Sequence, residues 1–188
     1  MLTKNINFKN FKLKKINNRI KKDLEIVLKK NNEILKSLNT GYKNSYNKKN
    51  IYKFKKYSHF RIIGMGGSIL GAESIYDFLK HKIRKNFYFN NSLQAQIKYP
   101  VKKNHTNLII SKSGNTLETI VNSNIIIKKN HKNIFITENR TSYLYLLAKK
   151  LKAEIVHHNN FIGGRYSVLS EVGMLPAELM GLNISKFK

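Results

Sequence analysis

Three short stretches bring together residue types that bind and polarise anionic oxygen. The first is Gly64-Met65-Gly66-Gly67-Ser68-Ile69-Leu70-Gly71. Glycines let the backbone approach a ligand closely, and Ser68 adds a hydroxyl. If a helix opens after it, free backbone N–H groups and the helix dipole favour an anion. The second is Ser111-Lys112-Ser113-Gly114-Asn115-Thr116, followed by Leu117-Glu118-Thr119. Ser111, Ser113 and Thr116 gather hydroxyl donors within one turn, Gly114 lets the turn curl, and Lys112 stands beside them. That set suits a phosphate held without a metal. The third is Gly163-Gly164-Arg165-Tyr166-Ser167. A double glycine followed by a permanently charged guanidinium suits an oxyanion that develops during a reaction.

Each stretch also has a plainer use. The first would serve as a tight strand-to-helix turn. In the second, Thr116 would be a helix cap with Thr119 in the first turn. The third would be a surface arginine on a flexible turn. The first departs from the dinucleotide fingerprint G-x-G-x-x-G, because Ile69 stands where its last glycine belongs. It also departs from the P-loop, since Ala72-Glu73 follows Gly71 in place of Lys and Ser or Thr.

The surrounding elements decide whether these loops can meet. From Phe60 onward, short apolar runs alternate with helical patterns. Strands are expected at Phe60–Gly64, Leu93–Tyr99, Asn107–Ser111, Asn133–Thr137 and Glu154–His157. Helices are expected at 68–81, 116–130, 142–151 and 168–180. Apolar runs bounded by turns and followed by helices imply a doubly wound α/β fold with a parallel five-stranded sheet covered on both faces. Its ligand site then lies at the carboxyl ends of the strands, at the topological switch point. Residues 13–38 carry Leu13, Ile16, Ile20, Leu24, Val27 and Leu28 at helical spacing and predict one amphipathic helix. Residues 42–57 are polar, basic and rich in Asn, and predict a loop. The expected division is a basic helical extension over 1–58 and an α/β domain over 59–188.

Composition narrows the classes. The 188 residues contain no Cys, which removes disulfides and thiolate chemistry. An apolar share of 41% argues against wholesale disorder. No signal-like or membrane-length apolar run is present, so a cytoplasmic setting is expected. The net charge is +26, which is the footprint of a nucleic-acid binder. Lys, however, outnumbers Arg 31 to 5, and Asn (25) and Ile (23) are raised with it. Those three residues share A/T-rich codons, so composition drift accounts for the charge, and nucleic acid is expected only as a non-specific partner.

Together the three loops, in this order and spacing, resemble the glucose-6-phosphate isomerase family over about residues 60–183, with the third motif running on through Val168-Leu169-Ser170 to Gly173-Met174-Leu175-Pro176. The first loop is shared more widely with sugar-isomerase (SIS) phosphosugar-binding domains. Asn115 departs from the family, which usually carries Thr there. The resemblance implies a flavodoxin-like SIS fold and isomerisation of glucose 6-phosphate and fructose 6-phosphate without metal or cofactor. It implies a sugar phosphate as substrate and a homodimer for the complete enzyme. Ser111, Ser113 and Thr116, with Lys112 beside them, match the phosphate site. Gly66, Gly67 and Ser68 match the phosphate and sugar pocket, and Gly164 and Arg165 the loop whose arginine stabilises a cis-enediolate. The family's base, ring-opening His and late Lys lie after the Gly-Gly-Arg motif. The chain is therefore expected to be the N-terminal half of such an isomerase. Of its own groups, Glu73, Glu118 and Glu171 are poor substitutes for that base. The six His residues show no metal spacing, and His157-His158 is expected to be structural. A stand-alone phosphosugar-binding module is the alternative.

Overall fold

The computed structural model describes residues 17–93, 105–128 and 131–188. The chain divides into two compact units, 1–31 and 32–188. The described part of the first is helix α1 (Asn18–Lys29), capped by the Asn17 side chain. It buries no residue, and Ile20, Leu24 and Leu28 are exposed.

The second unit begins with α2 (Glu33–Ser37) and α3 (Lys48–Tyr52). The single helix expected over 13–38 is thus two, and residues 13–16 lie outside the described residues. Lys30 turns extended, and the Asn32 side chain accepts the Leu35 N–H at 2.8 Å, starting a new helix. Asparagine competes with the helical backbone for its own hydrogen bonds, so an Asn-Asn pair divides a helix that apolar spacing alone would continue. The expected loop at 42–57 likewise holds α3, because Asn47 caps it and Ile51 finds the core.

Five parallel strands make one sheet: β1 (His59–Gly64), β2 (Asn86–Asn90), β3 (Thr106–Ile110), β4 (Lys132–Thr137) and β5 (Glu154–His157). Their order is β2-β1-β3-β4-β5. That is the flavodoxin-like doubly wound order, with its switch point between β1 and β3. The second strand is not where the sequence placed it. It is the aromatic run Asn-Phe-Tyr-Phe-Asn at 86–90, while of the expected 93–99 only Leu93 is among the described residues and it is not in a strand. Aromatic side chains fit a pleated edge as well as β-branched ones do.

Helices α4 (Leu70–Leu79), α5 (Leu117–Ile126), α6 (Tyr143–Lys150) and α7 (Glu171–Leu179) cover the sheet. Alternate strand residues feed two cores. Phe60, Ile62, Leu108, Ile110, Ile134 and Ile136 pack with Ile51, Phe54, Val172, Leu175 and Leu179 on one face. Ile63, Ile109 and Phe135 pack with Ile126, Leu144 and Ala148 on the other. The strands are apolar on both faces because both faces are covered. The segment before β1 also guards the sheet edge. Ser45 donates its hydroxyl to the His157 carbonyl, and Asn50 and Lys53 bond the Glu154 carboxylate at 3.0 and 2.9 Å. An open edge is a template for unwanted pairing, and these contacts occupy it.

Candidate functional site

The second loop leaves β3 at Ile110 and is fastened on three sides. Ser111 N–H donates to Ile136 O at 3.0 Å, Glu138 N–H to Lys112 O at 3.1 Å, and Leu144 N–H to Gly114 O at 3.0 Å. Gly114 has φ +67°, and a Cβ there would overlap the Ser142 hydroxyl. Only glycine meets both conditions. Asn115 Oδ1 accepts the Tyr143 N–H at 2.9 Å and so anchors the start of α6.

This anchoring leaves the hydroxyls grouped. Thr116 occupies the cap position of α5 yet makes no cap hydrogen bond. Its Oγ1 lies 3.0 Å from Ser111 Oγ and 3.5 Å from Ser113 Oγ. The capping role open to Thr116 in the sequence is therefore not the one it takes. Three neutral donors stand together at a helix start whose backbone N–H groups have no side-chain acceptor from Thr116, a combination that receives an anion. Lys112 Nζ donates to Asn160 O at 2.6 Å and lies 3.6 Å from Glu138, which also pairs with Arg140 at 2.8 Å. It ties the second loop to the chain leading into the third.

The first and third loops touch through their backbones. A Cβ on Gly67 would overlap the carbonyl of Gly164, so a side chain at 67 would force the loops apart. Ser167 Oγ donates to Gly164 O at 2.8 Å and to Gly67 O at 3.3 Å. Gly66 (φ +52°) opens a 3-10 turn through half-buried Ser68, and α4 then starts at Leu70 with no side-chain cap from Ile69. Exposed Arg165 sits on the turn Gly164–Tyr166. With Gly67, Leu70, Phe78 and Val168 it lines an open groove of about 630 Å³. The three loops thus lie at strand ends on one side of the sheet, the first two flanking the switch point.

Two of the three carboxylates singled out earlier, Glu171 and Glu73, are occupied. Glu171 is buried, accepting Asn159 N–H at 2.7 Å and the Tyr42 hydroxyl at 3.2 Å. Burial, then the Glu171 charge, push the Tyr42 phenol up to about 12. Glu73 accepts from Asn91 Nδ2 at 3.3 Å. His158 is fully buried, with its backbone N–H on Thr137 O at 2.8 Å, and burial holds its pKa down. Among the described residues no cluster of His, Asp and Glu could hold a metal, and no helix is long and apolar enough to cross a membrane. Sequence reasoning missed Thr137, Glu138 and Ser142, which shape the second loop. The signal was available for Thr137, since it ends β4 on the ligand side of the sheet.

A model of the phosphoglucose isomerase family matches residues 12–186, a span that contains all three loops. The chain belongs to that family. A glucose-6-phosphate isomerase from Acholeplasma laidlawii is 34% identical over 159 residues, covering 72% of this chain and 38% of the relative. One from Methanocaldococcus jannaschii is 33% identical over 166 residues, covering 78% and 39%. The chain therefore spans well under half the length of those relatives. In fold it is similar to the tagatose-6-phosphate ketose/aldose isomerase of Escherichia coli, with a TM-score of 0.55 at 17% identity over 74% of this chain and 43% of that one. The doubly wound α/β fold is that of SIS phosphosugar isomerases.

Proposed function

We propose that the chain supplies the phosphosugar-binding half of an aldose–ketose isomerase that interconverts glucose 6-phosphate and fructose 6-phosphate. The observation that carries this is the Thr116 hydroxyl. It is withdrawn from helix capping and grouped with Ser111 and Ser113 at the start of α5. In this reading Ser111, Ser113 and Thr116 hold the phosphate, with Lys112 fixing their loop. Gly66, Gly67 and Ser68 border the sugar, Gly67 and Gly164 giving backbone room. Arg165 faces the oxygens of C1 and C2, where proton transfer builds the negative charge of a cis-enediolate. The chain needs no cofactor for these tasks. The base comes from the longer family chain. A cytoplasmic setting and a homodimer of the complete enzyme go with this reading.

The test pairs binding with turnover. Calorimetry of this chain with fructose 6-phosphate is expected to show binding, and a coupled assay no isomerisation. With the downstream region of the family joined to it, activity is expected, and Arg165→Ala lowers kcat by about 10²–10³. An inactive joined protein in which Arg165→Ala changes nothing removes the isomerase reading. Binding that persists without turnover in the joined protein leaves a phosphosugar-binding module, the reading favoured by the occupied carboxylates of Glu73 and Glu171.

A further inference from the structure

The opposite end of the sheet carries a second feature that no isomerase role absorbs. A pocket of about 600 Å³ opens where β4 and β5 begin. Lys53, Lys56, Tyr57, His131, Lys132 and Lys152 line it. β4 has six residues, so about 20 Å of strand separates this pocket from the phosphate loops. Among the described residues the only carboxylate on its wall is Glu154, which is paired with Lys53 at 2.9 Å. Among the described residues, Lys56, Lys132 and Lys152 have no ion pair.

The wall behind these lysines is built and polar. Asn107 Nδ2 donates to Asn133 Oδ1 at 2.8 Å, and Asn133 Nδ2 to His131 O at 3.2 Å. His131 Nδ1 faces the Lys128 N–H at 3.3 Å and Asn107 Nδ2 at 3.3 Å. Two donors facing Nδ1 make it the acceptor and leave the ring proton on Nε2. Arg61, 4% exposed, belongs to the same row across the sheet as Asn107 and Asn133. Its Nε and Nη2 are buried without an acceptor among the described residues. A buried, uncompensated guanidinium adds positive potential that solvent screens poorly.

Lys152 is held there against its backbone. It is the one non-glycine among the described residues with positive φ, at +50°. It follows the last turn of α6, where glycine is the unstrained choice. A lysine kept in a glycine position puts a charge on the pocket rim at the expense of backbone ease.

The geometry points to a second anion site at the amino ends of β4 and β5, separate from the isomerase loops, which takes a condensed phosphate chain. Three uncompensated ammoniums, with the buried Arg61 behind them, match the three to four charges of a linear triphosphate. A single phosphate would leave one or more of them unneutralised. A nucleoside triphosphate and free inorganic polyphosphate share this chemistry.

The test is calorimetric titration of the full chain at ~0.15 M salt, where exposed charges beyond about 8 Å are screened. The probes are sodium tripolyphosphate, ATP and inorganic phosphate. Saturable binding of tripolyphosphate is expected, with inorganic phosphate weaker. Lys152→Gly is expected to weaken it about tenfold, and Lys132→Gln with Lys152→Gly about a hundredfold, one charged contact being about a factor of ten or more. Ser113→Ala is expected to leave the lysine-dependent part of that binding unchanged, whatever it does at the proposed phosphate loop. Lys152→Gly relieves the strained backbone, so a melting temperature that is not lowered shows that lost binding is not lost folding. ATP binding as tightly as tripolyphosphate, or more tightly, supports the site with a nucleotide as source. Weaker ATP binding supports it with the inorganic chain as source. Absence of saturable tripolyphosphate binding, or binding lost with Ser113→Ala and kept in the lysine variants, overturns the proposal. A 20-nucleotide single strand held more tightly than tripolyphosphate by the same lysines also overturns it, in favour of a polynucleotide surface.

Discussion

Thr116 is the residue on which the proposed phosphate site turns. Its hydroxyl faces Ser111 and Ser113 and leaves the cap position of α5 unused. Thr116→Ser keeps the oxygen and is expected to keep phosphosugar affinity. Thr116→Val keeps the shape, loses the donor, and is expected to weaken binding by about 1.5–3 kcal/mol, since the lost partner is charged. Calorimetry on the two variants distinguishes a ligand hydroxyl from a packing methyl. His158 makes a different kind of prediction. Burial holds its pKa below the ordinary 6.5, so as pH falls the unfolded chain takes up that proton before the folded one does. The stability tied to the neutral ring is then full above about pH 6.5 and is lost as pH drops below it toward the folded value. His131, also held down by burial, acts in the same direction. His158→Gln is expected to flatten the decline in urea midpoint between about pH 7 and pH 5, relative to the parent chain. Both residues stood out in the sequence, His158 with a structural role and Thr116 with two roles open. A threonine before a helix caps or binds by the same hydroxyl, and only the neighbour across the loop decides which.

At the scale of elements, the second loop is positioned by what surrounds Gly114. That glycine is in the left-handed region and against Ser142. Gly114→Ala meets both obstacles and is expected to destabilise the chain by at least about 1–2 kcal/mol and to abolish phosphosugar binding. Gly41→Ala, where an added Cβ meets nothing and φ is ordinary, is the control. It is expected to be neutral or stabilising by about 0.4–1 kcal/mol. Thermal melts of the two compare them directly. The pattern of strands and helices from Phe60 was legible because each apolar run fills a two-sided sheet and each is bounded by turn residues. The misplaced second strand shows the limit. Asn86-Phe87-Tyr88-Phe89-Asn90 has no β-branched residue, and its place beside β1 is set by pairing, His59 with Asn86 through Ile63 with Asn90. The broken N-terminal helix shows another, since apolar spacing runs on past Asn31-Asn32 while the hydrogen bonds of Asn32 do not.

At the scale of the molecule, the two units differ in how they are held. The core on both sheet faces draws on residues from Tyr46 onward, whereas α1 buries nothing. Deleting residues 1–31 is expected to leave cooperative unfolding of the remainder, with a melting temperature within about 4 °C of the full chain, the shift of roughly one kcal/mol at this size. A larger loss or a non-cooperative melt would show that α1 belongs to the same folding unit. The net charge of +26 takes a different meaning at this scale. Part of it is bound in pairs such as Lys55 with Glu178 and Lys112 with Glu138, and part gathers unpaired where β4 and β5 begin.

The sequence by itself determined the class of fold, the three glycine and hydroxyl loops and their family. Each is written locally, in apolar runs of strand length and in glycine–hydroxyl turns that the backbone can take up without distant help. Tertiary structure alone decided which loops touch, what Thr116 and Lys112 bond, and that a buried Arg61 and a strained Lys152 mark the far end of the sheet. Those outcomes depend on strand order and on contacts between residues far apart in the chain. No local propensity encodes that Gly67 will lie on Gly164, because the close approach exists only once β1 and the chain after β5 have been folded to the same side of one sheet.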